Sequence, residues 1–347
     1  MRTFLTTVTL AITAVLALAS PRLADACAGL IGSNGAVNLG RTTTLAGYHD
    51  GVEHYVTSFE FQGGGGEFGT LIPLPGVPTN VERGGAWTLQ RLQRETDPPA
   101  PLESRLDGAG ALAASAEVLQ EVRIDALDIT ILKGGGPDVA QWATDHGFRL
   151  SPDAPEVLDF YAARSPIFLA AVFNGDAAAE RGQQVGDGTP VHLTIPTTNP
   201  WVPLRILGLG KNETDRVEAD VYLLTDDTPA LLPAGQPGLN LAHSQPATTL
   251  LLDDLRSDEG MGWVPSEGWL TKLEVNAQVK DLKYDLAVDT SGQNAPSARA
   301  AGLALPLPPA SESDAGFSFL GILTVILLGI GLLVIIIRMR PAGVRAS

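Results

Sequence analysis

The feature that most constrains this chain is a run of 21 uncharged residues, Phe317 to Ile337, reading FSFLGILTVILLGIGLLVIII. At about 1.5 Å per residue, a helix of that length matches a hydrocarbon layer of about 30 Å, so the sequence predicts one C-terminal transmembrane helix at 317–337. Arg338, Arg340 and Arg345 follow with no acidic residue among them. An excess of positive charge is retained on the cytoplasmic side, which makes 338–347 a cytoplasmic tail and places everything before the helix outside. Gly329 and Gly331 lack the four-residue spacing of a dimerising glycine pair and read as ordinary transmembrane glycines.

The other end gives the same orientation. Arg2, an apolar stretch from Phe4 to Ala19 and then Ala24-Asp25-Ala26 are the charged start, core and small-residue cleavage site of a secretory signal. The apolar core is shorter than the roughly 20 residues a spanning helix needs. A signal peptide at 1–26 is therefore expected, with cleavage between Ala26 and Cys27. Lipid-modified N-termini ordinarily follow Leu at −3 and small uncharged residues, and Ala24-Asp25 departs from that pattern. Cys27 is the sole cysteine. No intramolecular disulfide can form, and the exterior domain must hold together by its core.

The formal net charge is −16, and removing the basic ends leaves the segment between them more acidic still. Such a surface repels nucleic acid. It would suit cationic partners or divalent ions, although solubility outside the cell accounts for it first. The partners expected are membrane lipid, through 317–337, and an envelope protein or glycan, but no nucleic acid.

Between the ends the patterning predicts mostly strands. Arg41 to His49 and Val52 to Gln62 flank Asp50-Gly51, the strongest short hairpin signal. The run Gly63 to Gly66 leads into a strand rather than a helix, which excludes a phosphate loop. Residues 98–116 read as a loop. Val118 to Ile124 and Leu127 to Leu132 are strand-like. Pro137 and Asp138, with Val139, Trp142, Ala143 and His146 on one face and Gly147 as terminator, predict a helix. A second short helix is expected over Pro155 to Arg164, making Trp142 and Phe160 core anchors. Strands are then expected at Ile167–Phe173, Val191–Ile195, Leu204–Leu207, Val217–Leu224 and Trp269–Val279. The last alternates strictly, which predicts one buried and one wet face. The fold class expected is α+β, a mostly antiparallel β-sheet with two short mid-chain helices, plus the transmembrane helix. The domain would occupy 27–288, and a Pro-, Ala- and Ser-rich stalk 289–316.

Several segments together resemble a bacterial family, the domain-of-unknown-function family 2330: VLQEVRIDALDITILKGGGPDVAQWATDHGF from Val118, then FLAAVF, HLTIPTTNPWVPLRI, VYLLTDD and WLTKLE. The resemblance covers most of 27–285. It implies an exported bacterial envelope protein, often with a C-terminal anchor, and transfers no catalytic residue. Relatives of that pattern carry several cysteines near the mature N-terminus; the lone Cys27 departs from it.

For chemistry, the histidines His49, His54, His146, His192 and His243 are the first candidates. In a two-residue hairpin His54 lies across from Gly47 and His49 across from Val52. From this the two imidazoles are expected to point apart, which leaves no shared metal site. The pairs Asp226-Asp227, Asp253-Asp254 and Asp258-Glu259 lack the alternating ligands and glycine turn of a calcium loop and read as solvated loop charge. A serine elbow is absent. The sequence thus names no catalytic residue, cofactor or metal ligand. The leading expectation is a noncatalytic binding or structural domain on the outer membrane surface. A tethered hydrolase with converging carboxylates, acting on envelope glycan or peptide, and a sensor working through another membrane subunit are the alternatives.

Overall fold

The computed structural model describes residues 24–25, 29–32, 41–60, 68–97, 117–182 and 188–303. The cleavage pair Ala26 and Cys27, the loop at 98–116, the transmembrane segment 317–337 and the tail 338–347 lie outside the described residues. Among the described residues no helix is long and apolar enough to cross a membrane.

In chain order the elements begin with β1 (Ala24–Asp25), β2 (Gly29–Gly32), β3 (Arg41–His49), β4 (Val52–Glu60), β5 (Phe68–Leu74), β6 (Asn80–Arg83) and α1 (Thr88–Thr96). The middle holds β7 (Glu117–Ile124), β8 (Leu127–Lys133), α2 (Gly136–Asp145), α3 (Ala154–Ala162), β9 (Ile167–Phe173), α4 (Gly175–Glu180) and β10 (Gly188–Pro196). Then follow β11 (Trp201–Val202), β12 (Arg216–Thr225), β13 (Ala230–Leu232), β14 (Leu239–Pro246), α5 (Thr249–Ser257), β15 (Trp269–Gln278), β16 (Leu286–Asp289) and α6 (Ala298–Ala301).

The large sheet runs β14-β15-β12-β3-β4-β10-β6, with β1 beside β3. A five-stranded sheet runs β2-β5-β9-β8-β7, and a small one β11-β16-β13. Pairing is antiparallel except for β12 and β1 against β3. The α+β class with mostly antiparallel sheets is therefore observed.

Alternation explains the layering. In β4, Tyr55 and Phe59 face a core shared with Ile72, Ile129 and Leu169 of the five-stranded sheet. Val56, one residue out of phase, faces Leu92 of α1 and Leu251, Leu252 and Leu255 of α5. The outer face of the five-stranded sheet, through Phe168 and Ala170, packs on Trp142 of α2 and Phe160 of α3. The result is four layers: helices, sheet, sheet, helices. All seven residues of β9 are buried, because both of its faces are covered, and this is why it reads as an unbroken apolar run. Trp142 and Phe160 are the core anchors expected of them.

Four expectations need correction. Two mid-chain helices were too few, since α1 and α5 cover the large sheet and α4 and α6 are additional short turns. Leu204–Leu207 is not a strand but runs into a 3₁₀ helix, Arg205–Gly208. Pro203 withholds the N–H a strand would need there. The second face of β15 is wet only in its later half, where Asn276 is exposed: α1 and α5 close over Leu270, and Lys272 is fully buried beside Asp97, Asp220 and Glu274. The folded part also extends past 288, because α6 buries Ala300 and Ala301 and the Asp285 N–H donates to the Ala301 carbonyl. Residues 289–303 thus pack on the domain, and the remainder of the expected stalk lies outside the described residues.

Candidate functional site

A cleft lies where the hairpin β3–β4, the segment after β10 and α6 meet. It encloses about 590 Å³, within the size range of small-molecule sites. One wall is the stretch Pro196 to Trp201. Its Thr197 N–H donates to the Gly51 carbonyl, the Tyr48 hydroxyl donates to the Thr197 carbonyl at 2.9 Å, and the Pro200 carbonyl accepts from the Val288 N–H. The loop is thus fixed at both ends, while Thr197, Thr198 and Asn199 border the opening. This wall belongs to the same HLTIPTTNPWVPLRI segment that carries the family resemblance.

The opposite wall is built by two arginines. Arg164, just past the end of α3, is sandwiched by aromatic rings, its guanidinium carbon 4.4 Å from the Phe160 centroid, 4.8 Å from Tyr161 and 4.5 Å from Trp201. It donates to the Asp285 carboxylate and to the Ala300 carbonyl, and its Nε is buried with no partner among the described residues. Arg299 on α6 reaches back to the Ala163 carbonyl at 2.6 Å. Gly302, at φ +81° with Phe160 against it, ends α6 where any side chain would strike the ring.

Asp285 organises this wall from below. It is fully buried, and its Oδ1 accepts from the Tyr161 hydroxyl at 2.9 Å and from the Leu204 and Arg205 N–H groups at 2.7 and 2.9 Å. The carboxylate therefore caps the 3₁₀ turn while its other oxygen meets Arg164. Burial, with Asp285 adding to it, pushes the Tyr161 phenol well above its ordinary range.

Behind Trp201 lies a second buried acid with none of these partners. Glu53 is 1 % exposed, and neither carboxylate oxygen has a hydrogen-bond partner among the described residues. It borders a cavity of about 10 Å³, roughly the room of one water, together with Tyr48, Trp201 and Thr225. Burial pushes its carboxyl up to about 8; the nearby Trp201 N–H offsets part of that rise without completing a hydrogen bond.

On the other face of β4 the histidines meet. The hairpin register is as expected, His49 across from Val52 and Gly47 across from His54. The imidazoles nevertheless share a face, because Gly47 and His49 are two residues apart and paired residues point the same way. His49 Nδ1–H donates to the Asp226 carboxylate at 2.7 Å. His54 instead turns to His192 on β10, with Nδ1 to Nε2 at 2.9 Å, and His192 Nδ1 lies 3.2 Å from Glu82. The His54 and His192 centroids are 5.1 Å apart, about the 2.9 Å contact plus two ring radii, so the rings meet end to end. That is a linear N–H···N hydrogen bond; a shared metal would need both lone pairs to converge on a third point. Among the described residues no group of three or more His, Cys, Asp or Glu is placed to hold a metal. With Glu82 accepting from His192 Nδ1, His192 Nε2 accepts from His54 Nδ1, and His54 Nε2 keeps its lone pair. Trp263 stacks on His54 at 4.0 Å and fills the space above Gly47. Burial, reinforced by His192 and His49, pushes His54 down to about 3, and burial also lowers His192.

The remaining candidates are structural. Asp258 is buried, not solvated, and caps α1 by accepting from the Trp87 and Thr88 N–H groups at 2.9 Å. Asp253 and Asp254 lie on α5 and pair with Arg256 and Arg91, and Glu259 pairs with Arg83. His146 packs on Trp142 and contacts its carbonyl, while His243 lies on the edge strand β14. Sequence reasoning missed Arg164, Asp285, Arg299, Glu82 and the role of His192. The available signal was Pro196, Pro200 and Pro203 in one short segment, which is poor material for a strand interior.

Residues 21–230 match the family described as an uncharacterized protein conserved in bacteria (DUF2330). No curated protein matches the chain. Among solved structures, a mutated baculovirus P35 after caspase cleavage is similar at 9 % identity and TM-score 0.40, covering 73 % of this chain and 98 % of that one. Baculovirus P35 itself is 11 % identical at TM-score 0.35, over 72 % and 96 % of the two chains. Likenesses of this size carry no argument about function.

Proposed function

The chain belongs to the DUF2330 family of uncharacterized bacterial proteins, and from that premise we propose that it is an exported, membrane-anchored envelope protein whose outer domain binds a partner molecule in the cleft beneath Pro196–Trp201. The signal peptide at 1–26 and the anchor at 317–337 supply the location, with the C-terminus in the cytoplasm. The observation that carries the binding reading is the cleft itself, about 590 Å³ bordered by polar groups on a loop fixed at both ends. Pre-formed concave sites of this kind take small ligands or a projecting group of a larger one. Its lining includes no Asp or Glu, so the paired-carboxylate chemistry of a glycan hydrolase has no seat there. Placing a photocrosslinker at Asn199 in native membranes should capture an envelope protein or glycan. Equal capture from a crosslinker on the far edge strand, at Leu241, would sink the reading.

A second reading, a tethered hydrolase, is favoured by the Glu82–His192–His54 chain, which presents an unprotonated His54 Nε2. Turnover by the purified protein on envelope glycan or peptide that disappears in His54→Gln would establish it; inactivity of the wild type on both would remove it.

A further inference from the structure

We propose that the cleft is an anion site, and that the molecule it holds presents a carboxylate or phosphate group to Arg299 and Arg164. The inference rests on the reading of the cleft as the binding surface and adds the ligand's chemistry. Acidic residues outnumber basic ones 39 to 23 in this chain, yet the cleft is lined by two arginines and by no carboxylate. Asp285 offsets the charge of Arg164 from beneath, so the uncompensated charge at the opening is that of Arg299, opposite in sign to the net charge of the molecule, which solubility does not require.

The two arginines differ in a way that suits recognition. Arg164 has a side chain 2 % exposed, fixed by Asp285, by the Ala300 carbonyl and by three aromatic faces. Its position costs the ligand no ordering, and its Nε is a buried donor without a partner among the described residues. Arg299 is exposed and tethered only by one donation to the Ala163 carbonyl. Among the described residues it meets no carboxylate, so its charge is open to an incoming oxyanion. A guanidinium fork matches the spacing of carboxylate and phosphate oxygens, and the Thr197, Thr198 and Ser297 hydroxyls with the Asn199 amide supply neutral donors at the same opening.

The test is calorimetric titration of the full-length chain in nonionic detergent with inorganic phosphate and, separately, citrate, at constant ionic strength against a chloride reference. The expected result is saturable one-to-one binding of at least one probe; which of the two binds separates a phosphate-bearing from a carboxylate-bearing ligand. Arg299→Gln should weaken it at least tenfold, and Arg216→Gln, a change on exposed β12 surface, should leave it within twofold. Arg299 is exposed, so melting of the variant should match the wild type, which separates lost binding from lost folding. Failure of both probes to bind, or equal losses in the two variants, would mean that the cleft does not select anions and would overturn the inference. Capture at Asn199 of an uncharged glycan, insensitive to Arg299→Gln, would also overturn it while leaving the binding-domain reading intact.

Discussion

Two buried acids lie on either side of Trp201, and they have been treated in opposite ways. Asp285 accepts three hydrogen bonds on one oxygen and faces Arg164 with the other. Glu53, buried to the same degree, has no hydrogen-bond partner among the described residues. Burial is thus common to both, and the difference is supply of donors. A buried charge is tolerable when it is paired and hydrogen-bonded, whereas an unpaired carboxyl keeps its proton. The cleft wall is consequently a fixed, charged frame, and the cavity behind it holds a neutral acid.

The comparison can be broken most sharply on the Asp285 side. Asp285→Asn leaves the Arg164 guanidinium buried without its counter-charge and should cost about 3–5 kcal/mol in urea denaturation. A cost under about 1 kcal/mol would mean that the ring sandwich alone holds Arg164. On the other side, Glu53→Gln should stabilise. The folded carboxyl titrates at about 8 and the unfolded one near 4.5, so as pH rises the unfolded state loses its proton first. The contribution is fully present below 4.5 and is lost as pH climbs through 8. The variant should gain on the order of 4 kcal/mol at pH 8 and almost nothing at pH 4.

The histidine chain sharpens the point from the cationic side. His192→Ala removes the acceptor for His54 and should cost about 2 kcal/mol. It should also raise the His54 pKa from about 3, which imidazole ¹⁵N spectra would report. Because the folded pKa of His54 lies below its ordinary value, its contribution is present above about 6.5 and is lost as pH falls towards 3. Stability is therefore eroded by His54 on the acid side and by Glu53 on the alkaline side. The smallest effect belongs to Arg299→Gln, which should change stability by less than about 0.5 kcal/mol while weakening anion binding at least tenfold.

The fold was legible where local chemistry and tertiary context agreed. Asp50 and Gly51, both at positive φ, close the hairpin their types call for. Pro137 and Asp138 start α2 as their positions require, and Ile167–Phe173 is a strand at the same residues in both readings. It was illegible where tertiary covering decided. Nothing in the alternation of β15 reveals that Lys272 is buried, since a lysine reads as solvent-facing until Asp97, from the end of α1, and Asp220, from β12, are brought to it beside Glu274 of its own strand. The cleft was hidden for the same reason. Arg164, Asp285 and Arg299 lie more than a hundred residues apart at their extremes and carry no spacing to read. His49 and His54 were legible in register but not in partnership, because His192 arrives on β10 from 138 residues away.

The most direct test of the contrast between the two acids is a titration of Glu53 itself. In protein carrying ¹³C-labelled glutamate side chains, the carboxyl resonance assigned by its loss in Glu53→Gln should move with a midpoint near pH 8. A midpoint near 4.5 would show that donors unseen at Glu53 hold it charged, and the distinction between the frame of the cleft and the cavity behind it would fall.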